Sequence, residues 1–140
     1  MALGELISEY RGKITSVKVL PFDGSGQGVK YEVTQVAELS GRLNGRGVGS
    51  NYVQLAADGT STTKFYGVFT TTEGETILAE SAGMSVPLAP GQVRFRTTAT
   101  IKTASPQLSW INTTVLAFEG EGDLSTMEIV GKLYETNPYR

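Results

Sequence analysis

"GRLNGRGVGS", residues 41–50, decides between two kinds of protein. A phosphate-binding loop needs glycines followed by a lysine or a helix, as in G-x-x-x-x-G-K-[ST] or G-x-G-x-x-G. Gly45, Gly47 and Gly49 instead alternate, and neither a lysine nor a helical pattern follows them, so no helix N-terminus is available to bind an anion. Alternating glycines leave bare backbone on one strand face, where a barrel wall bends or another group approaches closely. The stretch predicts a barrel strand.

Length and composition narrow the classes of function. The chain has 140 residues, 12 basic and 14 acidic side chains, no cysteine and no histidine. This length suits a single domain, 1–140, with a substantial core. The balanced charge argues against a nucleic-acid partner. Without cysteine and histidine there are no disulfides, thiolate sites, Ser-His-Asp triads or common transition-metal ligands. We expect no metal and no cofactor.

The N-terminal segment does not resemble a signal peptide. Glu5 and Glu9 interrupt "MALGELISEY" (1–10), which has neither a basic nor an apolar region. No apolar run approaches the roughly 18 residues that a membrane-spanning helix needs. These features predict a cytoplasmic protein that has no membrane partner.

Most of the chain reads as β-strand. β-Branched and aromatic residues recur between turn signals at a spacing typical of all-β sandwiches and barrels. Asp58-Gly59 and Glu73-Gly74 are hairpin signals, Gly12 predicts a bend or a bulge, and 21–28 breaks the chain. The predicted strands are 5–20, 29–40, 42–48, 51–57, 63–70, 75–81, 92–103, 108–118 and 126–135.

The short connections favour antiparallel neighbours, since parallel pairs need long crossovers. Closing the sheet also removes its edges. We therefore predict an all-β, antiparallel up-and-down barrel of about eight strands, lipocalin-like or calycin-like. A two-sheet β-sandwich is the alternative.

Alternation also groups polar and aromatic side chains on shared strand faces. If these faces line the lumen, they suit a small molecule with an apolar body and an anionic or carbonyl tip. The ligand-binding candidates are Arg94, Arg96, Trp110, Asn112, Tyr66 and Tyr52. The alternative is that the two arginines face solvent and Trp110 fills the core.

The opposite faces carry Phe65, Phe69, Val93 and Phe95. If the polar faces line the lumen, the phenylalanines lie outside and another subunit must cover them. If the phenylalanines fill the lumen, the protein can be a monomer. We expect the first arrangement and therefore a homo-oligomer.

Two other functions are open. A cofactor-free isomerase, cyclase or lyase acting in the same lumen needs a positioned acid or base. Glu80 and Tyr66 are the catalytic candidates, and Glu32 and Tyr31 are further acids or bases. Arg96 and Asn112 are candidates for stabilising an oxyanion. The third possibility is a structural barrel that only oligomerises.

Five segments within about residues 29–135 share a pattern with a known family. They are "GRLNGRGV" (41–48), "DGT" (58–60), "TEGETI" (72–77), "FRTTATIKTASPQLSWIN" (95–112) and "KLYE" (132–135). In these segments the chain resembles the DUF-3237 (UPF-0311-like) family of small bacterial proteins of unknown function. The resemblance implies a closed, lipocalin-like barrel and no particular activity. Where the family has a Gly-Gly-x-Asp-Trp pattern, this chain has "GVGSNY", with Asn51 and Tyr52 in place of the acid and the indole.

Overall fold

Eight strands pair in sequence order, and the last pairs with the first, so the antiparallel sheet closes into a barrel. The computed structural model describes residues 3–20 and 28–136. A 3-10 helix, Pro106–Thr113, connects β6 and β7. The strands are β1 (Leu3–Val19), β2 (Val29–Gly41), β3 (Gly45–Leu55), β4 (Ser61–Thr71), β5 (Thr76–Ala89), β6 (Gln92–Thr103), β7 (Leu116–Asp123) and β8 (Glu128–Thr136). The predicted up-and-down barrel is confirmed, and the sandwich alternative is wrong.

Some predicted strand boundaries are wrong because inward-facing glycines resemble breaks. The segments 42–48 and 51–57 form the single strand β3, which stays in register with both neighbours. Residues 120–123, predicted as a turn, belong to β7, where Gly120 lies opposite Gly131. The predicted break at 21–28 lies, apart from Gly28, outside the described residues.

Gly12 makes room for side chains and is not the site of a β-bulge. The β1–β2 register is continuous from Ser8 to Ile14 and shifts between Ile14 and Ser16. A Cβ on Gly12 would collide with the amide oxygen of Gln35 and lie 3.1 Å from the ring of Tyr10. The expectation of a bulge at Gly12 is therefore wrong.

The two predicted hairpin turns are confirmed. Gly59 and Gly74 have φ of +90° and +88°, the left-handed backbone region that glycine adopts without strain. The amide of Gly59 donates to the carbonyl of Ala56, and that of Gly74 donates to the carbonyl of Thr71. These turns join β3 to β4 and β4 to β5.

The 3-10 helix covers one end of the barrel, which we call the closed end. Five aliphatic side chains pack there with at most 1% exposure, namely those of Ile7, Leu43, Ile77, Ile111 and Leu116. The turns at 56–60, 90–91 and 124–127 surround the other end, which we call the open end. The core beneath the helix is therefore closely packed, and it leaves a void of only about 30 Å³ beside Leu39, Ile101 and Leu133.

An aromatic layer fills the middle of the lumen. Tyr10 makes edge contacts with Phe65, Phe69 and Phe118, at ring-centroid distances of 5.0–6.5 Å. The expectation that the phenylalanines lie outside is wrong, because Phe65 and Phe69 are 5% and 2% exposed. Because the phenylalanines are buried, they give no apolar outer face for a second subunit to cover. No helix among residues 3–20 and 28–136 has the length and hydropathy to cross a membrane.

Candidate functional site

A cavity of about 110 Å³ lies in the lumen between the aromatic layer and the open end. Apolar side chains form much of its wall, and polar side chains face it from five neighbouring strands, β2 to β6. The apolar residues are Tyr10, Ile14, Val33, Val53, Phe65, Val93, Phe95, Phe118 and Ile129; the polar ones are Gln35, Asn51, Thr63, Ser81, Ser85 and Thr97. The arrangement combines an apolar enclosure with a few polar groups, as small-molecule sites do.

Four of these side chains form a hydrogen-bonded chain across β1 to β4. The Tyr10 hydroxyl donates to Oε1 of Gln35 over 2.5 Å, and Nε2 of Gln35 donates to Oδ1 of Asn51 over 2.5 Å. Nδ2 of Asn51 donates to Oγ1 of Thr63 over 3.3 Å. Gln35 is only 3% exposed, so its amide depends on these partners to offset its desolvation.

Hydroxyl groups also face the cavity from β5 and β6, the next two strands of the barrel. Ser81 and Ser85 of β5 are both 8% exposed, and their hydroxyls have no hydrogen-bond partner within the part of the chain that the structure describes. Thr97 differs, because its hydroxyl donates to the carbonyl of Phe118 over 3.0 Å. Ser81 and Ser85 are therefore available to a guest molecule.

The cavity is nearly free of charge. Asp123, at the open end, is the one ionised side chain among the described residues that line it. Hydrogen bonds from the hydroxyl and the backbone amide of Ser125 lower the pKa of Asp123, which keeps it ionised at the rim. Burial raises the pKa of Tyr10 well above its ordinary value, so its phenol stays neutral. The cavity therefore offers hydrogen bonds without a buried ion.

Arg94 and Arg96 lie on the outer face of β6, and the expectation that they line the lumen is wrong. Arg96 pairs with Glu119 at 3.1 Å, and Arg94 pairs with Glu121 at 3.2 Å, across the β6–β7 register. Alternation decides this placement, because Phe95 and Thr97 occupy the inward positions between and beside them. Both pairs are open to solvent.

Tyr52, Tyr66 and Glu80 also lie on the outer surface. The two tyrosine rings meet edge to face with centroids 6.1 Å apart, and Glu80 lies opposite Tyr66 in the β4–β5 register. Hydrogen bonding and charge from Glu32 raise the pKa of Tyr52. The structure thus brings these predicted residues together, but on the wrong side of the wall for a lumen site.

Trp110 and Asn112 lie in the 3-10 helix at the closed end, not on a strand. Trp110 packs against the core, and the guanidinium of Arg42 lies 3.8 Å from the centroid of its ring. Asn112 binds the backbone of Thr103, accepting from its amide over 2.8 Å and donating to its carbonyl over 3.0 Å. Pro106 starts the helix with a pre-set φ. These residues hold the helix against the barrel.

The sequence did carry a signal for the residues that the prediction missed. Gln35 interrupts an inward alternation in which Val33, Ala37 and Leu39 are apolar. Asn51 continues the inward phase of the alternating glycines of β3. A polar residue in the apolar phase of a strand is the informative exception.

Comparison with known proteins identifies the fold. The sequence matches no protein-family model and no curated protein. Solved structures, however, match almost the whole chain. A protein of unknown function from Clostridium acetobutylicum ATCC 824 has a TM-score of 0.81 and 19% identity, over 94% of this chain and 96% of the other.

Two further structures support the same conclusion. A β-barrel-like protein from Acinetobacter baumannii AYE has a TM-score of 0.78 and 18% identity, over 96% of this chain and 94% of the other. An enzyme from Penicillium herquei has a TM-score of 0.63 and 18% identity, over 96% and 97%. At such low identity the likeness shows the barrel fold alone, and membership of the DUF-3237 family stays a prediction.

Proposed function

We propose that the protein binds a small molecule in the open end of its lumen. The observation that carries this proposal is the contrast between the two ends. The closed end is packed with aliphatic side chains, whereas the open end keeps a cavity of about 110 Å³ beside the buried chain Tyr10–Gln35–Asn51–Thr63. Buried polar groups and unfilled space both cost stability, so their combination favours a binding role.

The size of the cavity limits what enters it. Ligand pockets usually measure about 300–1,000 Å³, and a cavity of about 150 Å³ holds benzene. At about 110 Å³ this cavity suits a body of about one ring, with the remainder of the molecule projecting through the open end. Phe65, Phe95 and Phe118 supply the aromatic surface for such a body.

Binding is better supported than acid–base catalysis. A general base needs a group that titrates near the working pH and lies within reach of the substrate. Glu80 and Tyr66 lie outside the barrel, Asp123 lies at the rim, and the neutral phenol of Tyr10 already donates to Gln35. Tyr31 also lines the cavity, but burial raises the pKa of its phenol, so it stays neutral and is not a base. The isomerase, cyclase or lyase alternative therefore lacks a positioned base among the described residues of the cavity.

An amide-resolved NMR titration with toluene tests the proposed site. Val53 faces the cavity, whereas its neighbour Gln54 is exposed on the outer face of β3. Toluene is expected to shift lumen resonances in the wild type and in Gln54→Trp, and to leave Val53→Trp unchanged because the indole fills the cavity. Equal shifts in all three proteins, or none in the wild type, would contradict binding in the lumen. Native mass spectrometry of freshly purified protein then identifies any molecule that it carries.

We also propose that two copies of the chain associate, through a surface other than the predicted phenylalanine face. Val36, Val48, Val68 and Leu78 lie in one row across β2 to β5 and are 46–58% exposed. In the proposed dimer, a two-fold axis parallel to the strands brings this row against the same row of the second copy. No two like-charged side chains of β2 to β5 then face each other. Lys64 faces the second copy's Tyr52 and forms a cation–π pair with it.

We also propose that the chain belongs to the DUF-3237 family, forms a single domain and is located in the cytoplasm. The near-complete coverage of barrel proteins of unknown function is consistent with such a family. None of these points is needed for the lumen site.

A further inference from the structure

The hydrogen-bonded chain in the lumen runs in one direction. Each member donates to the next, from Tyr10 through Gln35 and Asn51 to Thr63. The side-chain oxygens of Gln35, Asn51 and Thr63 therefore each accept a hydrogen bond from within the chain. Each of these oxygens keeps a second lone pair, but an oxygen that already accepts one bond is satisfied, whereas an N–H or O–H bond without an acceptor is not. The groups on this wall that still need a partner are therefore donors.

The unused donors can be counted from the chemistry of each group. A primary amide has two N–H bonds, and Gln35 and Asn51 each use one of them within the chain. The Thr63 hydroxyl accepts from Asn51 and has no acceptor of its own within residues 3–20 and 28–136. Three donors therefore remain on one wall of the cavity, which is lined by all three residues.

The residues around these donors determine whether the acceptor that binds them is charged or neutral. No lysine or arginine is among the described residues that line the cavity, and Val33, Val53 and Phe65 surround the donors. An anion placed there would lose its hydration without gaining a counter-ion, whereas a neutral acceptor loses much less.

We propose that the lumen selects a ligand with a neutral hydrogen-bond acceptor, the carbonyl oxygen of a ketone, ester or amide, which accepts from Gln35, Asn51 and Thr63. This inference rests on the proposed binding function and narrows it. It excludes a ligand with an anionic tip, which the sequence alone left open. The arginines that would bind such a tip lie outside the barrel.

Three probes with the same ring and different substituents test the inference in the full-length protein. Acetophenone carries a ketone, ethylbenzene carries no polar group, and benzoate carries an anion. Dissociation constants come from the titration of amide resonances in the lumen. Acetophenone is expected to bind about three- to tenfold more tightly than ethylbenzene, the range for one neutral hydrogen bond, and at least tenfold more tightly than benzoate.

Variants on the two faces of β3 identify the donors. Asn51→Leu removes the central amide from the lumen and is expected to bring the acetophenone-to-ethylbenzene ratio close to one. Gln54→Leu removes an amide from the outer face of the same strand and is expected to keep the ratio. If Asn51→Leu does not fold, Gln35→Met replaces it with the same expectation, because it removes the preceding donor at similar volume.

The outcomes separate this inference from the proposed function. If none of the three probes shifts lumen resonances, binding in the lumen itself is wrong. If ethylbenzene or benzoate binds as tightly as acetophenone, the lumen binds ligands but the selection for a carbonyl is wrong. If the amide variant keeps the wild-type ratio, the carbonyl does not bind these donors.

Discussion

Gly47 and Phe69 lie directly opposite each other in the β3–β4 pair, and the ring of Phe69 occupies the space that a side chain at position 47 would need. A Cβ on Gly47 would lie 2.6 Å from Cδ1 of Phe69. The ring of Phe65 covers Gly49 in the same way. The alternating glycines of β3 thus lie against the aromatic layer. Because they have no side chains, they leave room for large rings in a narrow lumen.

Gly47→Ala is expected to lower the free energy of unfolding by about 1–3 kcal/mol, because the added methyl group collides with the backbone carbonyl of Val68 and with the ring of Phe69. Urea denaturation measures the change. The matched control is Gly122→Ala, an inward glycine of β7 whose Cβ would lie 3.4 Å from Val93, an ordinary contact. The control should change stability by less than about 1 kcal/mol. Equal losses in both variants would show that the close approach of β4 to Gly47 is not the cause.

Tyr10→Phe tests the start of the hydrogen-bonded chain. Without the hydroxyl, the buried oxygen of Gln35 loses its donor, so we expect a loss of about 1–3 kcal/mol of stability at neutral pH. Denaturation with urea is again the measurement, and Phe69→Leu in the same layer is a control that removes ring volume but no hydrogen bond. A loss of less than about 0.5 kcal/mol in Tyr10→Phe would mean that Gln35 finds another donor at no cost.

The stability of the wild type is also expected to depend on alkaline pH through Tyr10. Burial raises its pKa in the folded state above the ordinary value of 10.0, so the unfolded chain ionises first and binds fewer protons. Stability is therefore complete below pH 10.0 and falls as the pH rises further. Tyr10→Phe should lose less than the wild type between about pH 9 and 11. Parallel losses in the two proteins would assign the effect to other groups.

Arg94→Ala and Arg96→Ala are expected to leave both stability and ligand binding almost unchanged. Both arginines form solvent-open pairs on the outer face of β6, and such pairs contribute about 0–1 kcal/mol. The acetophenone affinity of both variants should equal that of the wild type, while Asn51→Leu weakens it. A loss of affinity in Arg96→Ala would return the binding site to the residues that the sequence first suggested.

The barrel could be predicted from the sequence because its signals are local. Alternation marks the strands, and positive-φ glycines such as Gly59 and Gly74 mark the hairpins. The 3-10 helix could not be predicted in the same way. Its residues include the strand formers Trp110 and Ile111, and Pro106 alone marks its start.

The site was harder to predict because alternation shows which residues share a face without showing which face is inside. Choosing the face with Arg96 and Tyr66 placed the candidate site on the outer surface of the strands, while Trp110 and Asn112 belong to the 3-10 helix. The glycines of β3 could have decided the question. Asn51 lies on the same face of β3 as these glycines. That face must point into the lumen, because Gly47 packs against Phe69.

Self-association through the aliphatic row gives the last prediction. Val48 lies at the centre of the row and is 58% exposed, and Val130 is 40% exposed on the outer face of β8, away from it. Sedimentation equilibrium at micromolar concentration is expected to show a dimer for the wild type and for Val130→Asp. Val48→Asp should be a monomer with an unchanged circular dichroism spectrum, because the dimer would bury a carboxylate without a partner. A monomeric wild type, or a dimer that survives Val48→Asp, would contradict this interface, and neither result would bear on the ligand in the lumen.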